Sequence, residues 1–129
     1  VDSFERIGIT LDKINIREKL ALFDEYWTPK IAGELNGQHV KLVKLSGEFV
    51  WHKHDNEDEL FLVVQGALSM QFRERTVQIE EGEFIIVPRG IEACPRADNE
   101  VHVLVFEPIG TLNTGDAISD KMLRELDEI

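Results

Sequence analysis

The chain has 129 residues, 43% of them hydrophobic, and a formal net charge of −11 from 25 acidic and 14 basic side chains. This length suits one domain with a real core, and the charge repels nucleic-acid phosphates and anionic membranes, leaving a small molecule as the expected ligand. No apolar run approaches the ~20 residues of a membrane helix, the first thirty residues carry too many charges for a signal peptide, and Cys94 is the only cysteine, which fits a reducing cytoplasm.

Residues 1–29 read as an N-terminal arm. Ile16, Leu20 and Phe23 recur at roughly helical spacing behind Asn15, a possible N-cap. Pro29 ends any helix, and Phe23, Tyr26 and Trp27 are expected to pack on the main body.

From Lys30 the period changes to two. "KIAGEL" and "QHVKLVKLS" flank Asn36-Gly37, the strongest short hairpin signal. Lys30, Lys41 and Lys44 read there as a solvated positive strand face. Gly47 marks a turn, "EFVWHKH" is extended, and "ELFLVVQ" is a β-branched, aromatic run. "ALSMQFR", "TVQIE" and "EFIIVP" follow, separated by Gln65-Gly66, "RER" and Glu81-Gly82. A loop from Gly90 to Pro95 precedes the last strand, "EVHVLVFEP". Eight or nine short strands with turns every eight to twelve residues predict an all-β sandwich or barrel over 30–108. The tail, 109–129, is weak. Ser119 could cap a short helix carrying Met122, Leu123 and Leu126, but Asp127 and Glu128 oppose its dipole, so marginal helix or disorder is expected.

The chemistry concentrates in "GEFVWHKHDNEDELFLVVQG", Gly47 to Gly66. On an extended segment His52 and His54 share a face, with Lys53 and Trp51 pointing away. Glu59 opens the next strand and can approach the pair. Two imidazoles and a carboxylate suit a divalent transition metal, although an H-x-H pair alone is also what two ordinary surface histidines look like.

The wider spacing resembles the cupin superfamily. The first motif of that family is matched by Gly47, His52, His54, Glu59 and Gly66, with one spacer a residue short. Its second is matched by Gly82, Pro88 and Gly90. The resemblance implies a single jelly-roll β-barrel, with His52, His54 and Glu59 as ligands to Zn, Mn, Fe or Ni, and pairing into a homodimer through edge strands or arm exchange. It also implies a fourth histidine ligand where this chain has Ala93, and a later asparagine where it has Ala97. Cys94 and His102 are possible additional ligands, and water or substrate could fill the gap instead. A lone loop cysteine and a histidine packed beside Leu104 and Phe106 are the plainer readings of those two residues. Arg89 and Arg96 flank the Ala93 loop and could orient a carboxylate or phosphate. His39 reads as a surface residue.

The expected function is a divalent-metal-binding barrel that binds or transforms a small polar metabolite, a sugar or an organic acid. Whether it is an enzyme stays open, because fold does not choose a reaction. The alternatives are a metal-poor binding barrel that has lost its fourth ligand, and a structural dimeric module.

Overall fold

The computed structural model describes residues 1–129. Seven strands follow two short helices. Helix α1 is Ser3–Arg6 and α2 is Ile16–Leu20. Asn15 caps α2 as its sequence position suggests, its side chain accepting from the Glu18 amide at 3.0 Å. The strands are β1 Lys30–Leu35, β2 Gln38–Glu48, β3 Glu59–Gln65, β4 Ala67–Phe72, β5 Thr76–Glu80, β6 Phe84–Val87 and β7 Ala93–Pro108.

The Asn36-Gly37 hairpin forms, with φ of 50° and 76° as a two-residue turn of this kind demands. All pairings among the seven strands are antiparallel, in the order β1-β2-β7-β3-β6, with β4 joining β7 and β5. The protein is an all-β barrel of the expected class. Its organising element is β7. The last strand begins at Ala93 and not at Glu100, so residues 93–95 of the expected loop are strand. Residues 93–96 pair with β4, and 101–108 pair with β2 and β3. Between Ala97 and Val101 the register against β2 breaks, and this irregularity carries β7 from one wall of the barrel to the other.

Alternation along β2, β3 and β7 sends Val43, Leu45, Val63, Val101, Val103 and Val105 inward, where they form one core with Leu68, Met70, Ile79 and Val87. On the outer face, Leu20 and Phe23 of the arm bury Leu42. Trp27 stacks on Phe49 with ring centroids 4.7 Å apart, and its indole N–H donates to the Ser46 carbonyl at 2.8 Å. The arm therefore packs as expected, although the Tyr26 ring stays largely exposed and only its hydroxyl is engaged, with Glu100.

Two further expectations need correction. Lys30, Lys41 and Lys44 are buried, not a solvated face. Lys30 bonds Glu25 and Asp127, Lys41 bonds Glu107, and Lys44 donates to the Phe23 carbonyl at 2.6 Å. The tail forms neither helix nor loose end. It runs as turns back across the barrel, with Ile31 and Ile129 exchanging backbone bonds with the tail and β1, and Asn113 fastening Lys121 and Leu123. Residues 119–126 lack a helix because these tertiary bonds, not local propensity, satisfy the backbone.

Candidate metal centre

His52 and His54 lie on an extended segment with little sheet support of its own. His52 exchanges two backbone bonds with Ala93, at 2.9 and 3.0 Å, and the His54 carbonyl accepts from the Gly90 amide at 2.8 Å. Both side chains turn into the barrel and are buried, as is Glu59 at the start of β3. One donor atom from each of the three lies within 4.8 Å of the others. Donors about 2.1 Å from a common ion in a tetrahedron sit about 3.4 Å apart, so small rotamer adjustments bring this trio onto one centre.

The local bonding fits an ion. His52 Nδ1 lies 2.8 Å from the Val50 carbonyl, which accepts its proton and leaves Nε2 with a free lone pair. His54 Nε2 is 2.9 Å from Glu59 Oε1, yet the angle is wrong for a hydrogen bond and this buried nitrogen has no partner. A buried imidazole nitrogen left without a hydrogen-bond partner beside a buried carboxyl is costly unless a further group engages both. Burial holds both imidazoles below the usual histidine range, keeping them neutral as ligation requires. Burial pushes the Glu59 carboxyl up.

Behind Glu59 lies a pair that sequence reading missed as a site. Glu107, on β7, is 4% exposed, and Lys41, on β2, is 2% exposed. Lys41 Nζ donates to Glu107 Oε1 at 2.7 Å. Burial, and then the neighbouring Glu59, push Glu107 well above the ordinary carboxylate range, and its second oxygen, Oε2, is buried without a hydrogen-bond partner. A signal existed. Glu107 continues the inward phase of Val101, Val103 and Val105, and Lys41 that of Val43 and Leu45.

A void of about 10 Å3 sits between the trio, Met70, Val87 and Ala93. It adjoins a larger one of about 50 Å3, which His52, Glu59 and Glu107 share with Trp27, Phe49 and Phe61. An ion in the first would face a small, largely apolar chamber in the second.

The other expected residues do not converge here. Cys94 follows Ala93 on a regular strand, so it points to the opposite side and is fully buried, with burial raising its thiol. His102 is on the outer face, its Nε2 2.6 Å from Glu100. Arg89 is exposed and bonds Asp58, and Arg96 lies 3.3 Å from Asp98. None of the four lines either void. Trp51 sits beneath the Arg73 guanidinium, 3.9 Å from its ring centre, away from the trio.

An antiparallel barrel with two imidazoles and a carboxylate gathered inside one mouth defines the cupin class. Residues 39–107 match the cupin domain family, and the chain belongs to it. It is similar to a cupin-2 domain containing protein from Shewanella frigidimarina, 40% identical over 74% of this chain and 93% of that one, with a TM-score of 0.73. It is also similar to a protein from Neisseria meningitidis, 33% identical over 75% of this chain and 99% of that one, with a TM-score of 0.69. An uncharacterized protein of Bacillus subtilis, YdbB, is 34% identical over 58 residues, and the chain spans about half the length of that curated relative.

Proposed function

We propose that this cupin binds a divalent transition metal, Zn, Mn, Fe or Ni, through His52, His54 and Glu59, and presents it to a small molecule entering the barrel mouth. The observation that carries this is the unpartnered, buried Nε2 of His54 beside Glu59 Oε1, with His52 Nε2 freed by the Val50 bond. Such an ion would act as a Lewis acid on a ligand oxygen. The protein's own part is to hold the donors, with Lys41 and Glu107 behind Glu59, and to exclude bulk water with Trp27, Phe49 and Phe61. A sugar or organic acid is the ligand first expected. Its anchoring would fall to the chamber and the ion, because Arg89 and Arg96 are engaged at the surface.

A second copy of the chain is the proposed macromolecular partner. Strand β7 is interior to the sheet and cannot pair edge to edge, but its outer face is apolar. Val40, Phe106, Leu60 and Ile86 form one cross-strand row, and Leu42, Leu104, Leu62 and Phe84 the next. The arm covers Leu42, whereas Phe84 and Ile86 are more than half exposed. Such a patch favours a homodimer. No helix is long and apolar enough to cross a membrane, and a cytoplasmic location is proposed from the single, unpaired Cys94.

Ala93 supports a second reading, a metal-poor binding barrel. Elemental analysis of protein purified without chelator, followed by titration with Zn2+, Mn2+, Fe2+ and Ni2+, separates the two. Stoichiometric metal lost in His52→Ala supports the first reading, and no metal under any condition supports the second.

A further inference from the structure

The segment between the two histidines is held from outside the family-matched region. Lys53, the residue between them, has both backbone groups taken by Asp116: its N–H donates to Asp116 Oδ1 at 2.8 Å, and its carbonyl accepts from the Asp116 amide at 3.0 Å. Gly115, with φ of +55°, lies against this peptide. A Cβ there would collide with the Lys53 carbonyl oxygen and stand 2.9 Å from His52 Cδ2, the ring carbon bonded to Nε2. Thr114, the preceding residue, is fully buried. These contacts come from the tail, beyond residue 107 where the family match ends.

We infer that Thr114-Gly115-Asp116 is a clasp that positions His52 and His54. Asp116 fixes the peptide joining the two, and the bare face of Gly115 fixes the plane of the His52 ring. Gly115 is glycine because a side chain would occupy the space that the ring needs in order to present Nε2. The clasp stands on backbone geometry, and its relevance to metal rests on the proposed function. Support of this kind matters most in a chain with Ala93, where three donors and no fourth must be kept in register. Loss of an outer partner that orients a ligand weakens metal binding about 10- to 100-fold.

The test compares wild type with Gly115→Ala, Asp116→Ala and Asp116→Asn. The two readouts are Zn2+ affinity and the imidazole 15N–1H correlations of the metal-free proteins, with circular dichroism confirming folding. Asp116→Asn keeps the acceptor for Lys53 and controls for a general effect of substitution. Gly115→Ala and Asp116→Ala are expected to bind Zn2+ about 10- to 100-fold more weakly and to move the His52 ring signals, while Asp116→Asn stays near wild type in both. Folded Gly115→Ala and Asp116→Ala proteins with unmoved ring signals and unchanged Zn2+ affinity would overturn the clasp, as would an Asp116→Asn variant as impaired as Asp116→Ala. If Gly115→Ala does not fold, the two Asp116 variants decide. If wild type binds no Zn2+, the metal reading fails on its own and the ring signals of the metal-free variants still decide the clasp.

Discussion

Ala93 and His52 face one another across an antiparallel bridge, exchanging backbone hydrogen bonds at 2.9 and 3.0 Å. The residue standing where relatives of this fold would place a fourth ligand is therefore the direct cross-strand neighbour of the first. The Ala93 methyl also lines the small void shared by His52, His54 and Glu59.

Ala93→His is therefore expected to raise Zn2+ affinity. A fourth donor contributing only ~1.4 kcal/mol raises it about tenfold. Competition titration against a chromophoric chelator reads this directly. An unchanged affinity in a folded variant would mean that the side chain at 93 does not reach the centre.

The acid limb of stability should belong to the histidines. Burial lowers both imidazoles below 6.5, so as pH falls from that value the unfolded chain takes up protons that the folded one refuses. Stability is then lost from about pH 6.5 down through the folded values, by at most ~1.4 kcal/mol per pH unit for each histidine. Urea melts of metal-free wild type and His52→Gln at pH 7.5 and 5.5 should show the larger loss in wild type. Equal losses would place the His52 ring in solvent.

Lys41 and Glu107 should be worth more apart than together. Lys41→Met leaves a buried carboxyl without its cation and is expected to cost about 3–5 kcal/mol. Lys41→Met/Glu107→Leu removes both groups and should recover most of that loss, while Zn2+ affinity falls because Glu59 loses the polar pair behind it. A double variant as unstable as the single one would show that the pair is not coupled.

Phe84→Glu tests the bare outer face. Phe84 is 60% exposed at the open end of the Leu62–Leu104 row. A charge there should shift a dimer to monomer in sedimentation velocity without lowering monomer stability by more than ~0.5 kcal/mol, as usual for an exposed site. A wild-type protein that is monomeric at high concentration would remove the proposed partner.

Much of this was legible in residue order. Period-two runs located most strands, Asn36-Gly37 located the first hairpin, and the spacing of His52, His54 and Glu59 singled out three side chains that gather inside the barrel, because these are local or near-local patterns. The lysines were misread because a strand face carries no label saying which side is covered: Lys41 alternates with apolar neighbours on both faces, and only the closed barrel decides that it points in toward Glu107. Cys94 stayed open as a ligand only while residues 90–95 read as a loop, and pairing with β4 restored the parity that turns it away.

The amino-acid order by itself determined an all-β barrel and the candidate trio of His52, His54 and Glu59, since alternation and short-range spacing are properties of the backbone repeat. Tertiary structure alone decided that Glu107 and Lys41 stand behind Glu59, that Arg89, Arg96 and His102 stand away from the centre, and that Asp116 grips Lys53. Those are contacts between residues tens of positions apart. They arise when the sheet closes and the tail folds back, and no local periodicity encodes the distance between such partners.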